Sequence, residues 1–167
     1  MTKIDDEINI IIAAARKRDY EAALARCVQL VETFPSAAEA WRHKAYIHAL
    51  MNDYESAVRE MSRAIALVTH EPAYYMLRGR YLLMLNRNVD ATSDLDRVLI
   101  LSDELRSEYY KEMAHFLRAE SYVRQGKFKE ALGDCEHVRD DVRVWIGSLQ
   151  SKKHIIERCA NRNRGQS

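Results

Sequence analysis

Glycine and proline are scarce in this sequence, five and two in 167 residues. These residues punctuate the tight turns of multi-stranded sheets, so their scarcity points to long helices joined by short turns. Net charge is lacking too: 26 basic against 25 acidic residues leave +1. No global field is present to recruit nucleic acid or an anionic membrane surface, and neither is expected as a partner. No apolar run approaches the roughly 20 residues that span a bilayer. The short run at 10–15 follows Asp5, Asp6 and Glu7 and precedes Arg16, Lys17 and Arg18. That is the reverse of a secretory signal's charge order, and a cytoplasmic location is expected. The three cysteines, Cys27, Cys135 and Cys159, are odd in number and form no CxxC pair. They read as reduced thiols.

What is present is a soluble globular composition, 47% hydrophobic and 31% charged, with enough chain for a core that folds unaided. The chain also repeats itself. RDYEAAL at 18–24 returns as NDYESAV at 52–58, 34 positions later. The same shift aligns Ala23, Ala57 and Ala91, then Cys27, Met61 and Leu95, then Leu30, Ala64 and Val98. A fourth copy, Phe128, Ala131, Cys135 and Val138, needs a shift of 40. Upstream in each copy, Trp41, Lys44, Ala45 and His48 answer to Tyr75, Arg78, Gly79 and Leu82, and to His115, Arg118, Ala119 and Tyr122. Spacings of three and four put each set on one helical face, so each copy is a helix pair. Asn52-Asp53 supplies a turn and an N-cap between the two helices of its pair.

The 34-residue period, the aromatic four residues before a small residue (Trp41 to Ala45, Tyr75 to Gly79), the Asp-Tyr-x-x-Ala of 19–23 and 53–57, and Pro35 closing the first copy resemble the tetratricopeptide repeat family. The resemblance covers about residues 4–140. It implies an all-α, right-handed α-solenoid of four helix pairs at about 4–37, 38–71, 72–105 and 112–140. A capping helix at about 142–160 completes a single domain, 1–160, leaving a disordered tail at 161–167. Repeat one departs from the pattern, with Glu7 and Ile11 in place of the aromatic and small residues. Repeat three replaces Asp-Tyr by Arg87-Asn88, so a looser turn is expected there. The six extra residues within 102–110 are expected to lengthen the first helix of repeat four. Beyond them, Val142, Trp145, Ile146, Leu149, Ile156 and Cys159 are read as one helical stripe that caps the last repeat.

No catalytic, metal or cofactor site is expected. HExxH, GxxxxGK[ST] and GxGxxG are all absent, and Asp94 and Asp96 lack the glycine and closing glutamate of a calcium loop. Cys27 and Cys135 stand where Met61 and Leu95 stand, as small core hydrophobes. The basic group Lys152, Lys153, Arg158, Arg162 and Arg164 has no interleaved aromatics and reads as a solvated helix end.

In this family the first helices of successive repeats line a concave groove that takes up a peptide or helix. Carried over, the groove positions are Ile8, Ile12 and Arg16 in repeat one, and Arg42, Tyr46 and Leu50 in repeat two. Repeat three gives Met76, Arg80, Leu83 and Met84; repeat four gives Met113, Phe116, Glu120 and Arg124. Most are apolar where solvent is expected, the mark of an interaction surface. The four arginines read either as solvated side chains or as a basic ladder for a ligand's carboxylates. The clamp with which co-chaperones grip acidic heat-shock tails is absent, since Ile8, Ile12, His43, Ala73 and Leu77 occupy its positions. The expected function is non-enzymatic protein binding, adaptor or chaperone-like, toward a ligand with acidic and apolar residues. The alternative is an assembly subunit or homodimer that self-associates around Tyr109 and Tyr110.

Overall fold

A computed structural model describes residues 3–163, with side chains through residue 161. Among the described residues the elements are α1 (Lys3–Arg16), α2 (Tyr20–Thr33), α3 (Ala38–Leu50), α4 (Tyr54–Leu67), α5 (Pro72–Met84), α6 (Asn88–Glu104), α7 (Lys111–Arg124) and α8 (Phe128–Cys135), then strands β1 (Arg143–Trp145) and β2 (Leu149–Ser151), and α9 (Lys152–Asn163). The chain divides into two compact units between Tyr74 and Tyr75.

In the first unit α1 packs on α2, α2 on α3 and α3 on α4. Ala23, Cys27, Ala57 and Met61 have no exposed surface, as the repeat template requires of residues between helices. Burial pushes the Cys27 thiol up to about 12, so it behaves as a hydrophobe. In the second unit α6 packs on α7 and α7 on α8, with Ala91, Leu95 and Ala131 fully buried. Gly79 makes a close approach: a Cβ there would lie 3.2 Å from Leu95 Cγ and 3.4 Å from Asp94 Cβ. The 34-residue spacing thus becomes packing because small residues let helix backbones meet.

The turns repeat as faithfully as the core. Arg18, Asn52, Asn86 and Gly126 all have positive φ, at 62°, 61°, 57° and 77°. The following amide of each turn bonds back to the carbonyl five residues earlier: Asp19 to Ala14 (3.1 Å), Asp53 to His48, Arg87 to Leu82 and Lys127 to Tyr122 (each 2.9 Å). This left-handed close satisfies carbonyls that a helix end would strand. The turn of repeat three is therefore no looser than the others. What Arg87 lacks is only a side-chain cap, which Asp19 and Asp53 provide to the amides of Ala22 and Ser56.

A charged pair ties the helices of each of the last three repeats. Lys44 reaches Glu60 at 3.2 Å. Arg78 grips Asp94 through two hydrogen bonds of 2.8 and 2.7 Å. Arg118 grips Asp134 at 2.8 and 2.6 Å, and His115 adds a third contact at 2.8 Å. Base and acid stand 16 residues apart every time, and Glu60, Asp94 and Asp134 are all buried. Burial alone would raise the Asp134 carboxyl, but the hydrogen bonds from Arg118 and His115 outweigh it and hold it below its ordinary value. Asp96, the other acid of the calcium-like pair, is bound to Arg118 at 2.7 Å.

Three expectations are corrected. The six extra residues do not lengthen α7, which has 14 residues; they extend α6 to 17 and form a loop at 105–110. Leu101 and Ser102 continue the buried face of α6, and the helix closes where Arg106 turns to φ 51°. The cap is not a single helix over 142–160. Residues 143–151 form an antiparallel hairpin with Trp145 opposite Leu149, turned by Gly147 at φ 76°, and only then does α9 begin. The alternation of a strand puts Val144 and Ile146 inside and Trp145 outside, while α9 buries Ile155 rather than Ile156. Helix α9 also runs through Asn163, into the expected disordered tail, of which 164–167 lie outside the described residues.

Asp94→Ala should lower the unfolding free energy by about 2 kcal/mol, because it removes the buried carboxylate that takes two hydrogen bonds from Arg78. Arg78→Met with Asp94→Leu should recover most of that loss in urea denaturation. Arg18→Gly should add about 1 kcal/mol by relieving a left-handed non-glycine residue.

Candidate functional site

The predicted groove positions of the first unit converge. Ile12, Arg16, Arg42, Tyr46 and Leu50 line one cavity of about 430 Å³, together with Ala15, Tyr20 and His43. Tyr46 is 41% exposed, a large ring left in water beside partly buried apolar neighbours. Ile8 is not part of this lining; it packs against the core that contains Ile11, Cys27 and Ile47.

The polar side of the cavity is built by a chain of contacts. Tyr74 donates to Glu39 at 2.7 Å, and Arg42 Nε donates to the other carboxylate oxygen at 2.7 Å. Arg42 Nη2 lies 2.6 Å from His43 Nε2. A guanidinium can only donate, so Nε2 accepts and the imidazole hydrogen sits on Nδ1. That Nδ1 is buried and has no partner. Burial, reinforced by the Arg42 charge, lowers His43 to about 4 and keeps the ring neutral. The cavity therefore joins apolar walls and two guanidiniums, with the neutral His43 ring on its border. Tyr20 and His43 were missed as lining residues. Tyr20 carries the template's aromatic and so reads as scaffold, and His43 signals nothing by spacing.

The second unit treats its share of the positions differently. Met76, Arg80, Met84, Met113 and Arg124 are partly exposed, but Leu83 and Phe116 are fully buried and Glu120 is 1% exposed. The expectation that these three face solvent is corrected. Arg124 bonds Glu120 at 2.7 Å and the Leu83 carbonyl at 2.6 Å. Arg158 of α9 takes the other Glu120 oxygen at 2.6 Å. Arg80 donates to the carbonyl of Trp145 at 3.0 Å. These arginines are engaged inside the chain, so no uniform ladder of ligand-facing arginines runs through the four repeats. Of the C-terminal basic group, Lys152 binds Asp140 at 2.9 Å and Lys153 lies 3.8 Å from Glu157. The side chains of Arg162 and Arg164 lie outside the described residues.

Among the described residues no group of three His, Cys, Asp or Glu side chains is placed to hold a metal ion. None of their helices is long and apolar enough to cross a membrane.

Comparison with known proteins fits this geometry. The tetratricopeptide repeat family model matches residues 9–72, and no curated protein matches the chain. Among solved structures, MamA from Desulfovibrio magneticus is similar at 17% identity and a TM-score of 0.71, over 82% of this chain and 74% of that one. YrrB, a tetratricopeptide-repeat protein with an unusual peptide-binding site, is similar at 21% identity and 0.66, over 78% of this chain and 64% of its own. The TPR2B domain of yeast Sti1, solved in complex with an Hsp70 peptide, is similar at 14% identity and 0.66, over 72% and 97%. Residues 9–72 thus match the tetratricopeptide repeat, and the chain carries the fold of the tetratricopeptide-repeat proteins.

Proposed function

We propose that this chain is a non-enzymatic protein-interaction module, adaptor or chaperone-like, which captures a peptide or helix of a partner protein at the cavity of its first unit. The observation that carries this reading is the cavity's composition. Ile12, Tyr46 and Leu50 offer apolar anchorage, and a large exposed ring at such a place is a common binding anchor. Arg16 and Arg42 favour an acidic group beside the ligand's apolar side chains. YrrB and the Sti1 domain support the reading by their peptide sites. A second reading, self-association, has one specific support: Tyr109 is 81% exposed and stands edge-on to Tyr110 at 4.8 Å.

Capture of the partner from native cell extract, identified by mass spectrometry, should fall at least tenfold with Tyr46→Glu or Arg16→Glu, with no change in melting temperature. Unchanged capture would remove the cavity from the reading. Light scattering separates the alternative: a dimer that Tyr109→Glu converts to monomer supports self-association, and a concentration-independent monomer removes it. The cavity also carries a pH signature. His43 sits near 4 in the fold against about 6.5 unfolded, so the unfolded chain takes up the proton first. Its contribution is complete above pH 6.5 and is lost as pH falls toward 4, about 3 kcal/mol in all. Glu39, held below its ordinary value against the pull of burial by hydrogen bonds from Tyr74 and Arg42, acts only at lower pH. Urea unfolding between pH 6.5 and 4.5 should therefore show a slope that His43→Gln flattens.

A further inference from the structure

Three of the second-unit positions that correspond to groove residues, Arg80, Met84 and Glu120, meet the chain's own residues 143–158. Arg80 of α5 holds the Trp145 carbonyl at 3.0 Å. Met84 of α5 lies beside Gly147, its Cε 4.0 Å from where a Cβ would stand. Glu120 of α7 holds Arg158 at 2.6 Å. We propose that this face of α5 and α7 is a second docking surface, selective for cationic segments, with residues 143–158 as its intramolecular ligand.

Three observations set the chemistry. First, Glu120 is 1% exposed and one of its oxygens is already taken by Arg124. The other oxygen is satisfied by Arg158, so a vacated face presents a carboxylate oxygen that has lost its cation and favours another. Second, Arg80 meets a backbone carbonyl rather than a carboxylate, a contact that any extended segment can supply. Third, the segment buries alternate side chains, Val144 and Ile146, and leaves Trp145 and Leu149 each 57% exposed, as an extended strand does. The face thus takes a short extended segment through its backbone, followed by an arginine or lysine. This preference is opposite in charge to that of the basic cavity in the first unit, and it does not depend on that cavity.

The test uses the full chain and a fluorescein-labelled synthetic peptide of residues 142–161. The wild-type chain should exclude the peptide because its own segment occupies the face. The Arg158→Glu chain loses its latch but keeps the face, and should bind the native peptide at least tenfold more tightly than wild type does. A peptide carrying Arg158→Glu should bind neither chain. Adding Tyr46→Glu to the full chain should change none of this, which separates the inference from the first-unit reading. Amide exchange of the wild-type chain should show residues 143–151 opening at least tenfold faster than α6 and α7. A folded Arg158→Glu chain that ignores the native peptide overturns the proposal. So does exchange in 143–151 as slow as in α6 and α7, and that measurement decides the matter if the variant fails to fold.

Discussion

Each helix pair from the second repeat onward depends on a charged pair buried between its helices. Apolar packing brings two helices together but is indifferent to small slides along their axes. A forked guanidinium on a carboxylate is not, because its two hydrogen bonds hold only in one register. Arg78 on Asp94 and Arg118 on Asp134 have this forked form, while Lys44 on Glu60 is a single contact. Repeat one has Ile10 at the corresponding basic position and uses a more exposed pair, Glu7 with Arg26 at 3.3 Å. The small residues Ala45, Gly79 and Ala119 lie one position beyond these bases, so close approach and charge pairing are set by adjacent residues of the same turn.

With register secured in that way, the remaining positions of the first helices are released for other uses, and the two units use them differently. In the first unit they frame a cavity with apolar and basic walls. In the second they receive the chain's own hairpin and α9. The arginines illustrate the difference. Arg42 keeps one edge on Glu39 and His43 while lining the cavity, whereas Arg124 is spent on Glu120 and a backbone carbonyl.

Much of the fold was legible because it is periodic. Ala23, Ala57, Ala91 and Ala131 align in sequence and are all fully buried, and the turns at Arg18, Asn52, Asn86 and Gly126 follow the same spacings. The ion pairs were equally periodic, 16 residues apart, yet Asp94 and Asp96 were weighed as calcium ligands because the acids were read without their bases. The hairpin was hidden for a different reason. Val142, Trp145, Ile146 and Leu149 suit a helical stripe by spacing, and only Gly147 marks the turn that makes them strand. The six-residue insertion carried no turn signal, since Arg106 adopts a left-handed conformation without being glycine or asparagine. Of the site, the first-unit lining was legible from the template. The burial of Leu83, Phe116 and Glu120 was not, because the segment that engages Glu120 comes from outside the repeats.

The 16-residue pairing also bears on how such a chain can grow. Because the base of each of these pairs finds an acid 16 residues on, within its own repeat, a duplicated copy of residues 38–71 would bring its own Lys44 and Glu60 together. Lengthening by 34 residues leaves that interhelical pairing intact, so repeat number is free to drift. The C-terminal segment has no such freedom. Its bonds reach Arg80 in one repeat and Glu120 in the next, so it is fitted to that pair of repeats in particular and must be inherited with them as a block.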